Sequence, residues 1–431
     1  MMNKQGRIVI IGLDGVPYEL LSRLSDDGVM PNFKDLKNEG IFKVMASSIP
    51  EVSAVSWSSI ITGKNPGEHG VYGFTDLLNG SYILSFHSSL KLRAPTFWQM
   101  DESKRYVVIN LPAAYPAQRI NGVLIAGFVS PDLERAVYPK IYIETLKKMG
   151  YRIDIDTGKA RISRLILFKQ LYETLETRMK ACMRLWDDVN WDLLMVVFTG
   201  TDRLEHFLWE AYEDKGHDQH EEFLGYFKAI DDAIGKINSK LNEDDNLIIL
   251  SDHGMERIDV NVNVNTYLAQ EGYLVVEDNP KKGYNSIKRE TKAFALEPSR
   301  IYLHREGKYP RGSVTEEEEK ELIQDLTDLF YQLEWRGKKV VKKVYRKEEI
   351  YRGEYIDRAP DLVLMPEKGF NLRASLFRKE LFEIDYELTG KHTQDDAFLY
   401  VKGSRADDLV PADPSVEDVL PIIQVLGGIK N

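Results

Sequence analysis

The stretch Arg7–Gly15, RIVIIGLDG, decides the fold. A run this continuously apolar has no wet face, so it reads as a central strand covered on both sides, ended by the carboxylate of Asp14 and the turn at Gly15. The same grammar recurs at 193–206, LLMVVFTGTDRLEH, and at 247–254, LIILSDHG. Shorter apolar runs at Tyr106–Asn110 and Val123–Ala126 complete a set of strands expected to be parallel.

Helical patterns separate them. Phe168, Leu171, Leu175, Met179, Cys182 and Trp186 recur at three- and four-residue spacing, as do Phe223, Phe227, Ile230, Ile234, Ile237 and Leu241. Each series makes one buried helix face. Strands alternating with amphipathic helices predict a three-layer α/β/α fold around a mostly parallel sheet. Further along, residues 278–311 turn rich in Lys, Pro and Gly, with Lys281 and Lys282 adjacent, and read as an exposed excursion. Thr315 and Glu318 form a capping box opening a helix, and strand-like pieces at Arg300–Leu303, Val340–Tyr345 and Asp361–Leu364 complete a smaller α+β segment. The expected organisation is a catalytic core of 6–274 and 381–430 with an inserted α+β segment at 275–380; Ala397–Val401 returns to the core.

Composition bounds the chemistry. The 431 residues are 43% hydrophobic and 29% charged, values of a folded globular chain. Lys and Arg total 57 against 68 Asp and Glu, and the resulting −11 argues against a nucleic-acid-binding surface. Cys182 is the only cysteine and falls on an apolar helix stripe, so it reads as a core residue. A metal site must therefore use Asp, Glu and His. The apolar run Ile8–Leu13 is far too short for a signal peptide or membrane span, which predicts a soluble, cytoplasmic protein with no membrane partner.

Polar residues fall at telling places. Asp14, Asp202 and Asp252 all follow predicted strands, where open α/β sheets put their sites. One such Asp is ordinarily a helix cap; three clustered carboxylates repel one another and call for cations. Asp202 and His206 stand four apart on one helix face, Asp252 and His253 are adjacent, and His392 lies in the turn-like GKHTQDDAF. Two divalent ions bring +4 against −3 and leave a positive hole for an anionic substrate. In IPEVSAVSWSSIITGKNPGEHG, Ser53, Ser56, Ser58 and Ser59 each precede an apolar run, and any of them is placed to cap a helix or act as a nucleophile beside a metal.

Taken together, LDG at Asp14, MPNFKDLKNEG, the Ser53–Gly70 block, TDRLEH, SDHG and GKH resemble the alkaline phosphatase superfamily, specifically its type I phosphodiesterase / nucleotide pyrophosphatase branch. The likeness covers nearly the whole chain in order. It implies Ser53 as the nucleophile and metal-bridging ligand, Asp202, His206 and His392 at one metal, and Asp14, Asp252 and His253 at the other. Zinc fits these ligands, and manganese is compatible with them. Ser56 and Trp57 are expected to touch substrate, with Val55 beside Trp57 bordering an organic arm. One position departs: Phe74 stands where the nucleotide pyrophosphatases usually carry a phosphate-binding Asn. His69 reads as loop-ordering, and His87, His217, His220 and His304 as surface or structural residues.

The implied activity is cleavage of a phosphodiester or nucleotide-type pyrophosphate, through a covalent seryl intermediate, on a small phosphorylated substrate. The Ser53 segment contains no Lys or Arg, which suits a singly charged diester; Arg93, Arg203 and the Lys-rich stretch are the cations in reserve for a monoester. Within the superfamily the alternative is a phosphomonoesterase or a phosphoglycerate-mutase-like phosphotransferase. A mutase needs a closing domain, for which only Thr75–Ala160 offers room. A sulfatase motif is missing from SAVSW. A non-catalytic metal-stabilised binding protein would need the ligands but no nucleophile.

Overall fold

The computed structural model describes residues 6–385 and 387–430. Eight strands form the main sheet: β1 (Ile8–Leu13), β2 (Ile41–Met45), β3 (Tyr106–Leu111), β4 (Gly122–Ala126), β5 (Val137–Tyr138), β6 (Leu193–Phe198), β7 (Asn246–Leu250) and β8 (Ala397–Lys402). Their order across the sheet is β2-β8-β7-β1-β6-β3-β4-β5. The five central strands, β7 to β4, run parallel, with Ile8 opposite both Leu193 and Asn246. β8 runs antiparallel to β7 and β5 antiparallel to β4, while β2, antiparallel to β8, returns to the direction of the central strands.

Alternation along β1 explains the layers. Val9, Ile11 and Leu13 pack into one core with α2 (Arg164–Asp188), α3 (Gly200–Glu213) and α4 (His220–Asn238). Ile8 and Ile10 point the other way, into a second core with α1 (Ser53–Thr62) and α5 (Val419–Gly427). All six β1 residues are buried, as a strand covered on both faces must be. Helix α4 ends at Asn238, before Leu241, which still packs on the same core. Cys182 is fully buried on α2, and burial pushes its thiol up to about 12, as befits an inert core residue.

The chain groups into two compact units: Met1–Lys64, Ser88–Met255 and Glu387–Asn431 in the first, Asn65–His87 and Glu256–Tyr386 in the second. The second is wider than the 275–380 segment expected from the sequence. Its strand Val260–Asn263 pairs with Phe370–Arg373 and Phe382–Glu383, so 256–274 groups with the later residues. Arg300 Nη2 donates to Thr75 O at 2.7 Å and Tyr72 Oη to Tyr355 O at 2.6 Å, tying in 65–87. The expected exposed excursion at 278–311 is also corrected: Lys281 and Lys282 are exposed, but Ala293–Leu296 and Arg300–Leu303 are buried strands of a four-stranded antiparallel sheet. The Ala293–Leu296 run is only four residues long and vanishes among Lys- and Pro-rich flanks, whereas Arg300–Leu303 is the strand-like piece expected. The helix Glu316–Gln332 opens with the Thr315/Glu318 capping box. No helix among the described residues is long and apolar enough to cross a membrane.

Candidate active site

The C-terminal ends of β7, β1 and β6 deliver the three carboxylates to one place. Asp14 N–H donates to Phe198 O at 3.1 Å, and Thr201 Oγ1 to Asp14 O at 2.6 Å, which locks the ends of β1 and β6 together. Gly15 has φ +78°, and a Cβ there would meet Asp202 Cα at 3.1 Å. Only glycine lets the two strand ends approach this closely.

Two groups of ligand atoms result. Asp202, His206 and His392 each offer one atom, all within 4.8 Å of one another, and Asp14, Asp252 and His253 do the same. The His253 and His392 rings stack at 3.7 Å between centroids, so the groups are neighbours. Backbone carbonyls aim all three imidazoles. His206 Nδ1 meets Gly390 O at 2.8 Å, His392 Nδ1 meets Glu51 O at 3.0 Å, and His253 Nδ1 meets Gly254 O at 3.0 Å. Each Nδ1–H donates, so each Nε2 presents a lone pair to the site.

Carboxylates are aimed in the same way, one oxygen held and one offered. Asp14 Oδ2 accepts from Trp57 Nε1 at 3.2 Å, while Oδ1 lies 3.3 Å from Ser53 Oγ. Asp252 Oδ1 accepts from Gly15 N–H at 3.2 Å, while Oδ2 lies 3.4 Å from His253 Nε2. Asp202 Oδ2 accepts from Arg203 Nη1 at 2.8 Å, while Oδ1 lies 3.2 Å from His392 Nε2.

These groups fit divalent cations. Asp252 Oδ2 is buried with no hydrogen-bond partner. The Nε2 atoms of His206 and His392 face each other at 2.9 Å with Asp202 Oδ1 beside both, a set of lone pairs that an ion satisfies. Without a cation, burial and the charges of Asp252 and Asp202 drive Asp14 well above the usual carboxylate range, and burial and Asp202 push Asp252 up to about 7. Burial works against the Asp202 charge too, but His206 and His392 hold that carboxyl well below its ordinary value.

Ser53 opens α1 and is buried, with Oγ 3.3 Å from Asp14 Oδ1 and 3.2 Å from His253 Nε2. The seven residues Asp14, Ser53, Asp202, His206, Asp252, His253 and His392 thus converge. Ser56 and Trp57 do not fill the substrate-touching places expected of them. Ser56 is 0% exposed, with Oγ bonded to Ser47 and Ser48 at 2.9 and 2.8 Å. Trp57 is 0% exposed as well, its ring lying where a Cβ on Gly12 would come within 2.5 Å, and its indole nitrogen turned to Asp14. Val55 is likewise buried. A helix of serines and apolar residues carries no signal of which face lies inward when both neighbours are protein.

Three further residues belong to the surroundings. Arg203 joins Asp202 to Asp154, and is not a spare cation; Arg93 is exposed. Glu205 is buried with both oxygens unpartnered, and burial, then Asp202, raises its carboxyl well above the ordinary range. Asp154 stands in no motif, and Arg203 and Glu205 are legible only as the fillers of TDRLEH. Among the other histidines, His69 is buried, accepts from Val71 N–H at 3.2 Å, and is lowered to about 3 by burial and His87. His304 accepts a hydrogen bond from Tyr82 at 2.5 Å, and His220 donates to Ala211 O at 2.7 Å.

A buried serine at a helix start beside two Asp/His clusters, on the C-terminal edge of an α/β/α sheet, is the arrangement of the alkaline phosphatase superfamily, whose members use two divalent metals. Within it, residues 8–394 match the family model of the type I phosphodiesterase / nucleotide pyrophosphatase family, and the chain belongs to that family. Membership makes it a metal-dependent phosphoester hydrolase. Among solved structures, a phosphonoacetate hydrolase from Sinorhizobium meliloti 1021, in complex with phosphonoacetate, is similar with a TM-score of 0.67 at 18% identity, over 98% of this chain and 96% of that one. An inactive murine ectonucleotide pyrophosphatase / phosphodiesterase 5 in complex with AMP is similar with a TM-score of 0.58 at 13% identity, over 99% and 96%. The human enzyme of that name gives 0.57 at 13%, over 98% and 95%. These likenesses establish the shared fold. No curated protein matches the sequence.

Proposed function

We propose that the chain is a two-metal phosphodiesterase or nucleotide-type pyrophosphatase with Ser53 as its nucleophile. The single observation that carries the reading is the placement of Ser53 Oγ, 3.3 Å from Asp14 Oδ1 and 3.2 Å from His253 Nε2 at the first turn of α1. Asp14, Asp252 and His253 would hold one ion, with Ser53 Oγ beside them, and Asp202, His206 and His392 would hold the other. When bound, the ions supply Lewis acidity and lower the pKa of a coordinated hydroxyl or water. Zinc suits the imidazole-rich set, and manganese is the second choice.

Ser53 Oγ forms a bond to phosphorus as the bond to the leaving oxygen breaks, and water then releases the serine. In the first turn of α1 the Val55 and Ser56 N–H groups donate to Val52 O, so Ser53 and Ala54 N–H and the positive end of the helix dipole would serve the phosphoryl oxygens. Asp202, His206 and His392 are the three side chains that would hold the second ion. The substrate is a small phosphorylated molecule.

The test is a metal analysis of the purified protein, followed by a panel of phosphodiesters, nucleotide pyrophosphates, phosphonates and sulfate esters. Turnover of a diester or pyrophosphate that chelation abolishes is the expected result. Turnover of phosphonoacetate in place of every diester would replace this reading by a phosphonate hydrolase, and bound metal with no turnover at all by a binding protein.

A further inference from the structure

Asp202 gives its two oxygens different neighbours. Oδ1 lies 3.2 Å from His392 Nε2 and 3.3 Å from His206 Nε2, whereas Oδ2 accepts from Arg203 Nη1 at 2.8 Å. Arg203 also grips Asp154, with Nε at 3.0 Å and Nη2 at 2.7 Å from Oδ2. The Phe128 ring lies 4.3 Å from the guanidinium carbon, and only 13% of the Arg203 side chain is exposed. Burial alone would lower the Arg203 pKa, yet Asp154 and Asp202 hold it above the ordinary arginine range.

The backbone leading into Asp154 is anchored in turn. Arg178 is 1% exposed; its Nη2 donates to Arg152 O and Ile153 O at 3.3 and 2.6 Å, and its Nη1 to Thr199 Oγ1 at 3.3 Å. Thr199 follows directly on β6 and leads into α3, which carries Asp202 and Arg203. The segment bearing Asp154 is thus tied to the strand end that bears Asp202.

We infer that Asp154 and Arg203 are a positioning pair that keeps Asp202 a one-oxygen metal ligand. The inference rests on the reading that the Asp202 cluster binds a metal. A carboxylate with both oxygens free can swing to grip an ion with two, which fills a position the substrate needs. A rigid guanidinium fork, fixed on one side by Asp154, holds Oδ2 out of reach. Arg203 therefore acts through Asp202, with three of its five N–H groups held by Asp202 and Asp154.

The test is titration of the metal-free, full-length protein with Co2+ alone, following stoichiometry and visible absorption. Wild type is expected to bind two equivalents. Asp154→Asn and Arg203→Gln should each weaken one equivalent by about 10- to 100-fold and alter its visible bands. The other equivalent should change by less than about twofold. The double variant should be no weaker than Arg203→Gln, because Asp154 acts only through Arg203. Should Arg203→Gln fail to fold by circular dichroism, Asp154→Asn, which keeps the size of the side chain, decides alone. Unchanged binding in the variants, equal weakening of both equivalents, or additive losses in the double variant would overturn the inference while leaving the two-metal reading intact. A wild type that binds fewer than two equivalents would overturn that reading, and this inference with it.

Discussion

His206 and His392 stand 186 residues apart in the chain, yet their Nε2 atoms face each other at 2.9 Å. In the neutral rings neither of these nitrogens carries the proton, because each Nδ1 is committed to a carbonyl. Two lone pairs at that distance repel unless something positive lies between them, and Asp202 Oδ1 adds a third donor. Chelation should therefore lower the thermal midpoint, and returning metal should raise it in a concentration-dependent way. Metal at about 100 times its Kd contributes about 2.7 kcal/mol by mass action, which a thermal-shift titration resolves. A midpoint indifferent to chelator would contradict the assignment.

The metal-free protein should lose stability as pH rises above 6.5, the unfolded histidine value, through the folded-state value of about 7 at Asp252. Asp252 is pushed up to about 7 by burial and Asp202, and Asp14 and Glu205 are raised as well, burial first in each. A carboxyl that is protonated when folded and ionised when unfolded makes folding take up a proton, so stability declines as pH climbs to the folded pKa. His206 acts in the same direction: burial lowers it, but Asp202 more than offsets this, and its contribution fades as pH passes its raised pKa. His392 and His69, both lowered to about 3 and chiefly by burial, oppose the trend only below the unfolded value of 6.5. Denaturant unfolding of chelated protein across this window should show the decline, and metal-loaded protein a flatter profile.

Ser53→Ala should reduce turnover by a factor on the order of 10⁴ or more, while two metals still bind. Ser56→Ala is the control inside the same helix. Its hydroxyl is shared between Ser47 and Ser48, so its loss should cost about 1–2 kcal/mol of stability with kcat reduced less than tenfold. Steady-state kinetics and metal titration on the two variants separate the roles, and equal losses from both would dismiss Ser53 as the nucleophile.

How far the sequence reveals this site depends on whether a residue's role is set by its own strand or by a distant one. Asp14, Asp202 and Asp252 are legible because each ends an apolar run, and parallel strands must carry such ends to one edge. The α2 and α4 stripes are legible because a helix facing a sheet repeats its apolar residues. The partners of Trp57 are not, since its indole bonds a carboxylate 43 residues earlier and its ring rests on a glycine of β1. Asp154 is hidden for the same reason, as its meaning comes from Arg203, 49 residues on. The two-unit division was blurred because the strand Val260–Asn263 looks local and pairs with 370–373.

Trp57 yields a prediction opposite to that of a substrate residue. Trp57→Phe keeps most of the buried ring but removes the N–H that holds Asp14 Oδ2. Asp14 is then free to turn, and metal affinity at the Asp14 cluster should fall by about 10- to 100-fold. KM measured at saturating metal should stay near the wild-type value, because the ring does not reach the solvent side of the site. A raised KM with unchanged metal affinity would return Trp57 to the substrate.

The remaining prediction concerns the charge of the substrate. A monoester dianion brings one more negative charge than a diester, and a site that prefers it needs a cation beyond its metals. Helix α1, SAVSWSSIIT, contains no Lys or Arg. Arg203, which bonds the ligand Asp202 through Nη1, has Nε and Nη2 on Asp154, so three of its five N–H groups are committed to carboxylates. Asp154 also cancels its charge locally. With Asp14, Asp202 and Asp252 ionised around two divalent ions, the surplus is one positive charge, matched by a diester anion. Bis-p-nitrophenyl phosphate should therefore exceed p-nitrophenyl phosphate in kcat/KM by about tenfold or more near neutral pH, a difference of about 1.4 kcal/mol in transition-state stabilisation. Asp154→Asn should narrow the gap, because it removes a negative charge and releases part of the guanidinium fork. A wild-type enzyme that prefers the monoester would mean that another cation reaches the phosphoryl oxygens, and the phosphomonoesterase reading would take the place of the diesterase.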